Sequence, residues 1–448
     1  VTTTLEVIPI PPVAPPAMLD RPRLRLWTPI AAHSVTDFLS FVAVALMPLL
    51  AVRLGMTVEQ KALLLGLGAA ASGAVQPLVA WISDRFDSRA TGTGGLVIAA
   101  VCVGMLGFAR SFEQLLMLYF FAVLGVGAFH PASAAAVGAL AGRRRSAMVS
   151  VFFLFGMLGG IGGNVLSPMY VNAAGALSGA EGEGATDAGL RSLIWFAPPA
   201  LVMAWALAWA IHPVSHRRVD AHAAHHGLTR EQRRRRWGAV WLLYACNVVR
   251  FTVNQMLVYL LIEWAERLTR VRAGVGMLDV RLGQQASELN GPMQASLQVG
   301  MGFGGLGLGL LLSARLEKRA FVLVPLIGAA AIAALPHTDA RLDAGLLAVA
   351  VPAGLLAAVA GFGFGALVPV SMALGQRLLP HRTSLASGLL LGGSWSVAFI
   401  GPQIARLIHR GQDGNLEAGF LAAGAMLVLS SALAMALPRS LMREVSAH

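Results

Sequence analysis

Long apolar runs constrain this chain more than any other feature, because many exceed the roughly 20 residues that a helix needs to cross a bilayer. Backbone amides find no water in lipid, so such runs must be helical; a transmembrane barrel would show short segments of alternating polarity instead. About twelve runs can be counted, near residues 29–52, 59–82, 92–109, 113–140, 146–171, 191–211, 238–262, 292–314, 320–336, 344–378, 383–407 and 417–437. Composition agrees with them. Hydrophobic residues make up 56% of the 448, charged residues 12%, and the mean hydropathy is +0.68, whereas a soluble domain carries about twice that charged share.

The net charge of +12 raises the question of nucleic acid, and the placement of the charges answers it. When the loops are divided alternately between two sides, one side holds 22 Lys and Arg against 8 Asp and Glu, and the other 11 against 13. By the positive-inside rule the first side is cytoplasmic, which puts both termini inside and makes the number of spans even. The excess charge is therefore topology, and no nucleic-acid partner is expected. One base and one acid fall in neither tally. They are Arg250 and Asp37, each well inside an apolar segment.

A charged knot at residues 81–89 has a degenerate copy at 313–319: Ser83 aligns with Ser313, Arg85 with Arg315, Asp87 with Glu317 and Arg89 with Arg319, at an offset of 230. Gly127 and Pro131 align with Gly365 and Pro369, and Ser146 with Ser384, at an offset of 238. Two matches in the same order at about half the chain argue for a duplicated membrane domain. The expected division is a disordered cytoplasmic N-terminus (1–26), a six-helix half (27–211), a basic linker (212–237), a second six-helix half (238–438) and a cytoplasmic tail (439–448).

Several tempting sites dissolve on inspection. The linker holds His212, His216, His222, His225 and His226 among seven arginines but no cysteine, so it reads as a solvated segment against anionic lipid headgroups and not as a zinc site. Cys102 and Cys246 read as small buried apolar residues on different helices, not as a disulfide. Residues 302–307 spell a dinucleotide fingerprint, yet they lie inside a span, where small residues serve helix packing. No metal and no cofactor is expected, and the proline-rich residues 8–16 read as a tail rather than a signal sequence.

The knot at 81–89 resembles the signature loop of the major facilitator superfamily: Asp84, Arg85 and Arg89 match its acid and bases, while Ala80, Asp87 and Ser88 depart from its two glycines and one base. The resemblance implies twelve transmembrane helices in two pseudo-symmetric six-helix halves, an all-α membrane protein. It also implies that Asp84, Arg85 and Arg89 latch the halves on the cytoplasmic side, with Asp84 facing the helix start at Thr383 and Ser384. Interfacial charges without that role are the plainer alternative. Within the superfamily, residues 30–170 look most like the fosmidomycin-resistance exporters. The likeness rests on His33 and Asp37 in helix one, Gln76-Pro77 before the knot, Gly127 with Phe129-His130-Pro131, and a glycine-rich helix five ending in Pro168. Ala132 stands where that group commonly has a carboxylate, so no role of that carboxylate carries over.

His33 and Asp37 lie one helical turn apart on a common face. A carboxylate in a span is costly unless paired or protonated, so Asp37 is the first candidate proton carrier, with His33 as its hydrogen-bonding partner or relay, while His130 is a proton-coupling candidate that could line the cavity or titrate. A fixed ion pair at His33 and Asp37, and a structural histidine beside the Pro131 kink, are the alternatives. Arg250 in helix seven, which the repeat relates to helix one, is expected to bind an anionic group of the substrate or to pair with Asp37 across a central cavity. Asn247, Asn254 and Gln255 could orient a substrate or merely link helices, and Trp395 could wall a ligand or simply pack.

The reading is a monomeric secondary transporter of the bacterial inner membrane, in contact with membrane lipid and not an enzyme. It would work by alternating access, with proton-coupled antiport of a small drug or metabolite, an anionic one among the candidates, as in drug-resistance efflux. Proton- or ion-coupled uptake of an organic anion is the alternative, and a non-transporting membrane sensor a more distant one.

Overall fold

The computed structural model describes residues 20–83, 88–212, 229–313, 315–379, 382–409 and 414–445. Helix is the regular structure throughout. In the first half α1 (Pro22–Ala45) and α2 (Met47–Leu54) make one crossing, jointed at Leu46 because Pro48 brings no amide to the preceding turn. The half continues with α3 (Val58–Ser83), α4 (Ser88–Met105), α5 (Phe112–Leu140) and α6 (Arg145–Leu177). Its last crossing joins α7 (Glu183–Arg191) to α8 (Ala197–Ile211).

The second half opens with α9 (Arg230–Ala273), α10 (Val280–Leu311) and α11 (Glu317–Ala334). A broken crossing follows, α12 (Leu346–Gly365) with α13 (Val368–Leu378). Next come α14 (Thr383–Gly388), a π-helical turn (Leu389–Gly393), α15 (Ser394–Val397) and α16 (Ile400–His409) in one crossing, then α17 (Leu416–Met435) and the short α18 (Arg439–Glu444). Among the described residues eleven helical segments are long and apolar enough to span a membrane. The twelfth crossing is α10, whose Gln284, Gln285, Asn290, Gln294 and Gln298 lower its hydropathy. The architecture is twelve membrane helices in two six-helix halves.

Local chemistry sets the helix starts. Ser111 accepts from the Gln114 amide to open α5, Asp279 from Leu282 to open α10, and Asn415 from Ala418 to open α17. Thr229 and Gln232 form a reciprocal capping box, so α9 begins at Arg230 and already includes Arg233–Arg236. Sequence reading places those arginines in the linker. A Glu231 to Arg235 pair, one turn apart, supports the helical form.

Each half has a polar seam at the end that bears its chain ends. Arg25 donates to the Trp209 carbonyl at 2.6 Å, Lys318 to those of Met435 and Leu437, and Arg236 pairs with Glu444. We call this the terminal end, and the opposite one distal. Bonds between the halves gather at the distal end: Leu49 N–H to Ser287 Oγ at 3.1 Å, Gln284 to the Pro168 carbonyl at 2.8 Å, Asn172 to Glu288 at 2.7 Å and Asn290 to the Val44 carbonyl at 2.8 Å. The apolar core follows the same division. One cluster runs from Ile30 and Leu49 in the first half to Leu257 and Phe420 in the second, and a separate one of Leu243, Phe321, Leu374 and Leu390 fills the terminal part of the second half.

Candidate functional site

The glycines of α6 bring the site together. A Cβ at Gly159 or Gly163 would collide with the α1 backbone at Ser34 or Phe38, so the absence of side chains lets the two helices touch. At that contact Ser34 Oγ donates to the Phe155 carbonyl at 2.7 Å. One turn along, Gly156 faces His33 and Asp37, and a Cβ there would stand 2.5 Å from His33 Nε2 and 2.7 Å from Asp37 Oδ2. His130 of α5 closes the group from the third side.

The resulting cluster is His33, Asp37 and His130. His33 Nε2 lies 3.4 Å from Asp37 Oδ2, and His130 Nε2 lies 3.2 Å from Asp37 Oδ1. Each ring is held by its other nitrogen: His33 Nδ1–H donates to the Phe152 carbonyl and His130 Nδ1–H to that of Val126, both at 2.7 Å. A carbonyl only accepts, so Nδ1 carries the hydrogen in both rings and each Nε2 turns toward the carboxylate. If neither ring nor acid held a further proton, lone pairs would face lone pairs in both contacts. Each His–Asp contact is attractive only with a proton in it, as imidazolium against carboxylate or as carboxylic acid against neutral ring.

The three groups form a graded path. Side-chain exposure falls from 24% at His130 to 12% at Asp37 and 2% at His33, and His33 Nε2 is buried without a hydrogen-bond partner. Aromatic rings wall the inner end: Phe152 stacks on His33 at 3.9 Å between centroids, with Phe129 and Phe153 at 5.9 and 6.0 Å and the His130 ring edge-on at 4.9 Å. Their ligand atoms lie within 4.8 Å of one another, close enough to share one small ion, and no other such trio occurs among the described residues.

Arg250 stands elsewhere. It is 1% exposed, and its guanidinium donates from Nη2 to Asn247 Oδ1 and from Nε to the Cys246 carbonyl, with Phe321 of α11 at 5.5 Å. The π turn contributes directly, because its Leu390 carbonyl accepts from Asn247 Nδ2 at 2.7 Å while Ser371 Oγ accepts from the same nitrogen at 3.1 Å. Arg250 Nη1 has no partner, and no carboxylate among the described residues pairs with this cation. Asp37 is therefore paired with the two histidines and Arg250 with Asn247; the cross-cavity pair expected from the repeat is not formed in this conformation.

The remaining expected residues are scattered. Asn254 and Gln255 are buried on α9, 8% and 7% exposed, and Gly401 of α16 packs on the Gln255 side chain. Trp395 is half-buried, edge-on to Phe251 at 5.0 Å. Asp84 and Arg85 lie outside the described residues, as do the side chains of Arg89, Thr383 and Ser384 and most of the histidine-rich linker.

One group was missed in the sequence. Lys61, Glu263 and Glu266 read as loop charges flanking apolar runs, but Lys61 of α3 is 3% exposed and meets Glu263 at 2.5 Å and Glu266 at 2.9 Å, both on α9. The signal was present as spacing. Glu263 and Glu266 share a helix face with Tyr259, and Lys61 directly precedes an uninterrupted apolar run.

Comparison with known proteins agrees with this architecture. Residues 30–402 match the Major Facilitator Superfamily. An uncharacterized MFS-type transporter of Bacillus subtilis (strain 168), YfnC, is 28% identical over 137 residues, 31% of this chain, and the chain spans about a third (32%) of that relative's length. Among solved structures, a bacterial homolog of the human lysosomal transporter Spinster, inward-facing and unoccupied, superposes with TM-score 0.65 at 15% identity, over 95% of this chain and 97% of that one. A bacterial homologue of the human peptide transporters PepT1 and PepT2 gives 0.63 at 15% identity over 95% and 99%, and the xylose transporter XylE from E. coli 0.61 at 12% identity over 92% and 98%. These likenesses concern the fold. With most of its length matched by the family, and with the fold in agreement, the chain belongs to the Major Facilitator Superfamily and is a transporter, not an enzyme.

Proposed function

We propose that this protein is a proton-coupled exporter of a small anionic compound, with His33, Asp37 and His130 as its proton-carrying group. The observation that supports this most is the pair of carbonyl-fixed rings aimed at one carboxylate, an arrangement satisfied only when protons occupy it. His130, the most exposed member, receives the proton; Asp37 holds it; His33 is the innermost acceptor. Proton uptake changes the charge of a site inside a span, where an uncompensated charge is expensive. That cost is what couples protonation to the choice between the two access states.

The anionic cargo rests on Arg250. A guanidinium stays protonated and suits carboxylate, phosphonate or phosphate, and this one keeps Nη1 open while Asn247 fixes its orientation. By the positive-inside rule the terminal end faces the cytoplasm, so the conformation seen is closed to the outside. A bacterial inner membrane and a monomer complete the proposal.

The test is reconstitution in liposomes with an imposed pH gradient and an internal pH dye, offering anionic, neutral and divalent-cation candidates. Proton movement opposite to an anion, lost in Asp37→Asn, is the expected result. Movement in the same direction would turn the assignment to uptake of an organic anion. Cation flux without proton flux would give the three-residue group a metal instead, and no flux with any candidate would favour a sensor.

A further inference from the structure

We infer that Lys61 is the bolt of the distal gate: one amine of the first half set between two carboxylates of the second, broken and remade in every transport cycle. Four observations converge on it. The bond joins the halves, α3 to α9, at the distal end where the other bonds between them gather. It is buried, with 4% of the Lys61 side chain, 4% of Glu263 and 13% of Glu266 exposed. A second ion pair across this seam, Arg406 to Glu59 at 3.1 Å, is far more open, at 25% and 60%. Glu263 and Glu266 stand one helical turn apart on α9, so a single amine satisfies both, at 2.5 and 2.9 Å.

The physics suits a joint that must open. Pairing charges out of water gains little net energy, since lost hydration offsets most of the attraction. An intact bolt therefore leaves the closed and the water-filled open arrangements close in free energy. Removing one partner is different, because the closed state would then bury an unpaired charge. Around the three lie Tyr259, Arg267 and Arg270 of α9, Arg406 and His409 of α16, and Glu59 of α3. The bolt works by geometry and charge pairing, whatever the transported ion. The inference rests on alternating access and not on the identity of the coupling ion, so it stands or falls separately from the three-residue proton site.

The test needs no substrate. Spin labels are placed at Leu177→Cys and Met277→Cys, 88% and 75% exposed at the distal ends of the two halves, with Cys102 and Cys246 replaced by alanine, and distances are measured by pulsed electron resonance in lipid nanodiscs. The starting protein should show a short-distance population. Lys61→Met should raise the long-distance, distal-open population at least about tenfold. Adding Glu263→Gln and Glu266→Gln to it should restore the short distance, because no unpaired charge then remains.

A Lys61→Met distribution identical to the starting protein would overturn the inference. So would a neutral triple variant as open as Lys61→Met, which would make the effect one of lost packing. Should Lys61→Met fail to fold, the exchange of Lys61→Glu with Glu263→Lys keeps one cation between two acids and should stay closed. An open exchange variant would contradict the bolt equally.

Discussion

The repeat places α1 and α9 in equivalent positions of the two halves, yet the polar groups they carry are opposite in kind. On α1 an acid is caught between two histidines, all able to gain or lose protons, with exposure graded from 24% to 2%. On α9 a guanidinium is fixed by Asn247, which is itself held by Ser371 and a π-turn carbonyl. On the proposal made above, one half changes its charge and the other keeps it.

That comparison breaks most sharply at Asp37. Asp37→Asn keeps the size of the side chain but cannot carry a proton, and we expect proton-coupled movement in liposomes to be abolished while the protein remains monodisperse. Coupling that persists would remove the first half from the mechanism. Next in size is Arg250. Arg250→Met should lower transport of anionic substrates by about tenfold to a hundredfold, the worth of a charged hydrogen bond, while thermal stability stays level or rises because a buried cation without a carboxylate is gone. If Arg250→Met carried anions as well as the unchanged protein does, the cation would be structural.

Smaller effects sharpen the gradient. His130→Gln should slow proton entry, and His33→Gln should leave entry intact but reduce the number of protons carried, as read from proton flux per substrate; equal effects from both would deny the ordered path. Smallest is Gly156→Ala, which in an ordinary helix would stabilise. Here the added Cβ meets His33 Nε2 and Asp37 Oδ2, so a loss of about 1–3 kcal/mol is expected by thermal melting.

The fold was almost wholly legible, because apolar length and loop charge are one-dimensional signals. The two polar groups were legible in part. His33 and Asp37 share a turn of one helix and can be read together, but that His130 would reach the same carboxylate depends on how α5 packs against α1, two segments about ninety residues apart in the chain. Arg250 was visible as the lone base in a span. Its partner was not, since the Asn247 amide is set by a π turn more than a hundred residues away in the chain. Lys61 escaped because a charge near a helix end looks like a loop charge until the facing glutamates of α9 are seen beside it.

The measurement that tests the central claim most directly is infrared difference spectroscopy of the reconstituted protein during pH cycling, with the histidines labelled at their ring nitrogens. The account predicts that a buried carboxyl band appears on acidification together with changes at His33 and His130, and that both vanish in Asp37→Asn. A carboxylate that stays ionised throughout, with the two rings unchanged, would contradict it.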